Sequence, residues 1–172
     1  MEINTKIIEF AILAHHKTNH LYGGQSPYSV HLALVVSYAY KYIRKVPELH
    51  RDDVIHACWL HDTIEDARVT YNDVKEVAGE TVANIVYAVT NEKGKTRTDR
   101  ANDKYYQELR LEPFAVFVKM CDRLANAHYS VDNNSRMRLE YLKENKHFIQ
   151  SLFGNFLYYE EMIDELTTLL SG

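Results

Sequence analysis

Residues 57–66, Ala-Cys-Trp-Leu-His-Asp-Thr-Ile-Glu-Asp, place one imidazole and three carboxylates at the end of an apolar run. In a helix, residues four apart share a face, so Glu65 lies one turn beyond His61 and Asp66 one turn beyond Asp62. Carboxylates crowded into one turn repel one another unless something positive lies among them. A divalent metal is the simplest such partner. The chain must therefore bring charged groups to the edge of an apolar interior.

The remainder of the sequence favours helices. It has only three Pro and six Gly in 172 residues, and no sustained alternation of β-branched residues. That length suits a single domain with one sizeable core. The formal charge of −4 argues against a general nucleic-acid binder, but it is compatible with a small anionic substrate held by a local basic cluster. No stretch approaches the roughly 20 apolar residues of a membrane span. The N-terminus, Met-Glu-Ile-Asn-Thr-Lys, has no signal-like apolar run behind a basic start. Cys58 and Cys121 lie in apolar surroundings without CxxC spacing, which reads as a reduced, cytoplasmic protein. Nothing in the sequence reports the oligomeric state.

Helical spacing predicts a first helix over 4–16, capped by Asn4 or Thr5, and a Gly-Gly and Ser-Pro loop over 17–27. Ser26 as cap and Pro27 in the first turn predict a second helix to about Lys45, with Val30, Leu34 and Val35 on its apolar face and His31 beside them. Asp52 or Asp53 restarts a helix that runs into the 57–66 motif. Shorter helices follow over 70–78, ended by Gly79, and over 81–90. The basic stretch 91–104 reads first as a solvated loop and then as the start of a helix to about Leu111. A lid of Lys93, Lys95, Arg97 and Arg100 over substrate phosphates is the alternative reading of that loop. Pro113 opens a strongly apolar helix, and two more helices, over about 134–153 and 155–170, close an all-α, single-domain chain.

Asp122 interrupts that apolar helix, and a carboxylate there needs a partner. A salt bridge to Arg123 or Lys119, a solvent-facing position and a metal all answer the need. His31 alone reads as a satisfied core histidine. Together, His31, His61, Asp62 and Asp122 form a mixed nitrogen and oxygen set from three helices, suited to a first-row divalent ion with positions left for water and substrate.

Four stretches carry a resemblance to a known family. Pro27-Tyr28-Ser29-Val30-His31 is similar to a PY-x-x-H motif, and Leu60-His61-Asp62-Thr63-Ile64-Glu65-Asp66 to LHD-x-x-ED. Val69-Thr70 followed by Gly79 matches a threonine-then-glycine run. The stretch from Val118 to Asn126 is similar to VK-x-x-DRL-x-N. Across about residues 5 to 130 the chain resembles the hydrolase domain of the RelA/SpoT alarmone enzymes and their small stand-alone relatives, within the HD superfamily of phosphohydrolases.

The resemblance implies an HD-type helical bundle, a single Mn2+ (another first-row divalent metal being the alternative) and removal of the 3′-pyrophosphate from (p)ppGpp. It also implies that His31, His61, Asp62 and Asp122 hold the metal, that Glu65 and Asp66 orient and deprotonate the attacking water, and that Asn126 contacts the nucleotide. The family's Arg-Lys pair before PY-x-x-H is absent, because residues 18–24 read Thr-Asn-His-Leu-Tyr-Gly-Gly. His20 and Tyr22 are the groups there able to stack on a base, without supplying a fixed charge.

A small-molecule nucleotide is thus the expected partner, with neither nucleic acid nor membrane. A nucleotidase or phosphodiesterase on another phosphorylated nucleotide, and a non-catalytic nucleotide- or metal-sensing module, are the alternatives. Glu65→Ala/Asp66→Ala should retain metal and lose turnover. Metal analysis beside an activity assay checks this, and unchanged turnover would remove both residues from the mechanism.

Overall fold

In the computed structural model, residues 4–133, 135–153 and 157–172 are described. Helix α1 (Thr5–Lys17) starts where the Asn4 side chain accepts from the Lys6 backbone N–H. Lys17 occupies its last turn, where positive charge suits the helix dipole. The expected loop after it contains a small antiparallel hairpin, β1 (Leu21–Tyr22) with β2 (Ser26–Pro27), paired Leu21 to Pro27 and Tyr22 to Ser26. Gly23 and Gly24 turn the chain at φ +58° and +75°, a region side chains other than glycine seldom adopt.

Pro27 and Ser26 therefore belong to the hairpin, and Ser26 is not a helix cap. Helix α2 (Ser29–Tyr42) begins after Tyr28 with no side-chain cap and passes into a 3₁₀ turn, Ile43–Lys45. Its inner face is also rotated from expectation. Val30 is exposed, whereas His31, Leu32, Val35, Val36 and Ala39 are buried. His31 thus belongs to the buried stripe itself.

Helix α3 (Arg51–Leu60) stops earlier than the 57–66 pattern predicts, and α4 (Thr63–Asp66) follows after a break. Two side chains bond the backbone at the stop. His61 Nδ1 bonds the Cys58 carbonyl at 2.8 Å and Thr63 Oγ1 donates to the Leu60 carbonyl at 2.7 Å. Carbonyls that would continue the helical ladder are taken by side chains instead. One-turn spacing survives across the break, because the Asp66 N–H still donates to the Asp62 carbonyl at 2.9 Å.

Helix α5 (Tyr71–Ala78) opens with a Thr70–Asp73 capping box and ends at Gly79, φ +88°, and α6 (Glu80–Val89) buries Val82, Ile85, Val86 and Val89. The basic stretch holds a single turn, α7 (Arg97–Arg100), capped by Thr96 and Asp99, and then α8 (Asp103–Leu109). These are two short helices where one was expected. Helix α9 (Ala115–Asp132) starts two residues after Pro113, with Phe114 at φ +68° preceding it.

Helices α10 (Met137–Phe153) and α11 (Glu160–Ser171) pack on α9. Their predicted first residues, 134 and 155, lie outside the described residues. The core is one cluster in which α9 meets α2, α3, α6 and α11 around Leu32, Leu60, Ile85, Phe117, Met120 and Leu166. Each such side chain contributes about 1.5–3 kcal/mol on burial, so α9 is the axis on which the other helices are fixed. Among the described residues, no helix is long and apolar enough to cross a membrane.

At Gly23 an added Cβ would lie 2.4 Å from the Tyr129 hydroxyl, in addition to its left-handed backbone. Gly23→Ala should therefore lower the unfolding free energy by about 1–2 kcal/mol from the backbone alone, measured by urea titration.

Candidate metal centre

Three helices bring charged side chains to one point. Helix α2 supplies His31, the end of α3 supplies His61 and Asp62, and the middle of α9 supplies Asp122. His31 and His61 are buried, with Nε2 atoms 3.1 Å apart. Asp62 Oδ2 lies 3.3 Å from His31 Nε2 and 3.0 Å from His61 Nε2. Asp122 Oδ1 lies 3.3 and 3.7 Å from the same two nitrogens. Among the described residues, His31, His61 and Asp122 are the group whose donor atoms all fall within 4.8 Å of one another. The two carboxylates are only 14% and 13% exposed, so their charges need compensation.

The tautomer of His61 shows what kind of compensation fits. Nδ1 faces the Cys58 carbonyl, which only accepts, so Nδ1 carries the proton. A neutral His61 then aims its Nε2 lone pair at two carboxylate oxygens and a second imidazole nitrogen. That arrangement is repulsive without a proton or a cation at its centre. An imidazole pinned through its other nitrogen by a backbone carbonyl is also the usual support of a metal ligand. The donor set therefore suits a divalent cation.

Protonation follows the same balance. Burial draws His31 and His61 downward, but the hydrogen-bonding and charged carboxylates of Asp122 and Asp62 outweigh it, and both imidazoles lie above their ordinary value. Burial raises Asp62 and Asp122, yet His61 beside Asp62, and Lys119 with the two histidines beside Asp122, hold both well below the usual carboxylate range.

A cleft of about 290 Å³ opens from Asp62 and Asp122 and is lined also by Glu65, Asp66, Asn126, Arg100 and Lys119. Glu65 is fixed there, accepting from the Asn91 backbone N–H at 3.0 Å and from Asn91 Nδ2 at 3.2 Å. Asp66 is exposed as a residue, but it also lines the cleft. Partial enclosure, then the charges of Asp62 and Glu65, push it up to about 7.

Asn126 donates from Nδ2 to Asp122 Oδ1 at 2.6 Å and accepts from the Tyr22 hydroxyl at 3.1 Å. Tyr22 is buried, and His20 stacks on Tyr28 at 4.0 Å between ring centroids. Neither His20 nor Tyr22 is among the residues lining this cleft.

The basic stretch divides in two. Lys93 and Lys95 are exposed, whereas Arg97 and Arg100 line the cleft. Arg97 is committed to Glu144 through two bonds of 2.9 and 3.0 Å. Arg123 also reaches Glu144, at 3.3 Å, and lies over the Phe148 and Tyr141 rings. Lys119 sits 3.5 Å from Asp122 Oδ2, so the ion pair and the cluster both answer the need for a partner at Asp122.

Sequence reasoning missed Tyr28 as a partner of Asp62, to which its hydroxyl donates at 2.5 Å, and Asn91 as the holder of Glu65. Tyr28 stands in a motif, but nothing local marks its hydroxyl for Asp62. Asn91 is 26 residues from Glu65 and carries no signal at all.

No family model matches the chain. It is similar to the Danio rerio guanosine-3′,5′-bis(diphosphate) 3′-pyrophosphohydrolase MESH1, 30% identical over 122 residues, covering 69% of this chain and 64% of that protein. An Aquifex aeolicus guanosine-3′,5′-bis(diphosphate) 3′-pyrophosphohydrolase is 39% identical over 87 residues, 48% of this chain and 12% of that one. The chain thus spans less than two thirds of the length of these curated relatives. A solved structure described as a metazoan ortholog of SpoT that hydrolyzes ppGpp superposes with a TM-score of 0.72 at 21% identity, covering 98% of this chain and 97% of the other. That likeness shows the fold.

The raised imidazoles give a signed prediction. Their stabilisation of the metal-free protein is fully present below the unfolded histidine value, about 6.5, and is lost as pH rises through the folded value. A cation entering this set displaces protons, so its affinity should fall about tenfold for each unit by which the pH is lowered, per proton displaced. Mn2+ should therefore raise the melting temperature more at pH 8 than at pH 6. Thermal scans with and without Mn2+ at both pH values test this.

Proposed function

We propose that this chain, a homologue of the (p)ppGpp 3′-pyrophosphohydrolases that has the HD-type helical fold, is itself a divalent-metal-dependent (p)ppGpp hydrolase. In this reading His31, His61, Asp62 and Asp122 hold Mn2+, and the substrate is a small nucleotide. The observation that carries it is the convergence of two imidazoles and two carboxylates beside a cleft lined by those carboxylates together with Glu65 and Asp66. When bound, a divalent cation lowers the pKa of water and neutralises charge on phosphoryl oxygens.

The chain's own groups then divide the work. Glu65, held by Asn91 from two sides, orients the attacking water. Asp66, whose carboxyl is pushed up to about 7 by partial enclosure and by its acidic neighbours, accepts the water proton. Attack on the 3′-linked phosphorus breaks its bond to the ribose oxygen, which takes up a proton. The products are the nucleoside 5′-diphosphate and pyrophosphate. Arg100 and Lys119 on the cleft wall face the substrate's negative charge, and Asn126 keeps a second amide N–H for the sugar.

One observation favours a second reading, a different phosphorylated nucleotide. Residues 18–24 carry no Lys or Arg to fix a guanine and a phosphate, and Tyr22 is buried with its hydroxyl on Asn126.

The test is turnover by the Mn2+-loaded protein of ppGpp, nucleoside monophosphates and cyclic nucleotides, followed by chromatography. GDP and pyrophosphate from ppGpp are expected, lost with EDTA and restored by Mn2+. Turnover of monophosphates or cyclic nucleotides alone would replace the leading reading with the second.

A further inference from the structure

The hairpin of β1 and β2 ends in two tyrosines, and each leads to a different carboxylate of the centre. Tyr28, directly after β2, donates its hydroxyl proton to Asp62 Oδ2 at 2.5 Å. This is the oxygen that faces both imidazoles. Tyr22, on β1, donates to Asn126 Oδ1 at 3.1 Å, and Asn126 Nδ2 donates to Asp122 Oδ1 at 2.6 Å. The direction of that relay is fixed by chemistry. An ionised Asp122 only accepts, so the amide nitrogen must face it, and the amide oxygen is left for the phenol. Asp122 Oδ1 is likewise the oxygen that faces the imidazoles.

Both phenol rings are packed between other rings. The Tyr28 ring stacks on His15 at 4.2 Å and on His20 at 4.0 Å between centroids. The Tyr22 ring packs on Tyr129 at 4.1 Å and on His31 at 4.7 Å. Gly23 lets the hairpin approach Tyr129 this closely, since a side chain there would collide with its hydroxyl.

We propose that Tyr28, and Tyr22 acting through Asn126, are positioning residues that set the orientation of the Asp62 and Asp122 carboxylates, so that the hairpin frames the metal centre from outside. The proposal rests on the reading of His31, His61, Asp62 and Asp122 as metal ligands. A carboxylate already held in its ligating rotamer loses less freedom when a cation arrives, and partners of this kind change metal affinity without touching the ion. It assigns the buried hydroxyls of the hairpin to the metal and not to stacking on a base.

The experiment compares wild type, Tyr28→Phe and Tyr22→Phe, each retaining its ring and losing only the hydroxyl. Mn2+ affinity is read by calorimetry, the symmetry of the bound ion by electron paramagnetic resonance, and folding by the metal-free melting temperature. Tyr28→Phe should weaken Mn2+ binding about 10–100-fold and alter the Mn2+ spectrum, with little change in metal-free melting. Tyr22→Phe, one bond further away, should weaken it by a smaller factor. Wild-type affinity and spectrum in both variants would overturn the proposal while leaving the hydrolase reading intact. Should Tyr28→Phe fail to fold, Tyr22→Phe decides alone. Failure of the wild type to bind Mn2+ would overturn the ligand reading and this proposal together.

Discussion

Two carboxylates and two imidazole nitrogens meet within hydrogen-bonding distance at the edge of an apolar helical core, and the surrounding structure answers that concentration of charge. Removing a carboxylate from water costs several kcal/mol unless its charge is compensated. The compensation is layered. Raised imidazoles, or a cation in place of their protons, act at the centre. Lys119 stands beside Asp122 Oδ2, and neutral donors from Tyr28 and Asn126 share the carboxylate oxygens that face the imidazoles.

The same demand shapes the backbone. His61 can aim Nε2 at the carboxylates only if its ring is turned, and the Cys58 carbonyl turns it. That bond coincides with the end of α3, with Asp62 at the break and Glu65 and Asp66 on a separate turn that lines the cleft. An uninterrupted helix through residue 66 would have kept these carboxylates on the α3 surface. The interruption thus links a local hydrogen bond to the division of labour proposed for Glu65 and Asp66.

On the far side of the cleft, positive charge is mostly committed within the protein. Arg97 and Arg123 share Glu144 and lie over aromatic rings, which fixes α7 and α9 to α10. Arg100 and Lys119 lie nearer the carboxylates, and they are the cations of this wall that the hydrolase reading directs toward a phosphorylated substrate.

The helical class, the ends of α5 and α6, and the charged groups that His61, Asp62 and Asp122 set against apolar runs were legible in the sequence, because they follow from short-range physics. Four-residue periodicity, a Thr70 cap, a Gly79 stop and a charge inside an apolar run need only a few neighbouring residues to be recognised. The hairpin, the buried face of α2, the break after Leu60 and the partners of the carboxylates were decided by tertiary structure. Tyr28 finds Asp62 across 34 residues and Tyr22 finds Asn126 across 104. Such contacts depend on the rotation and register with which α2, α3 and α9 pack, and side-chain volumes across the whole core set those quantities together.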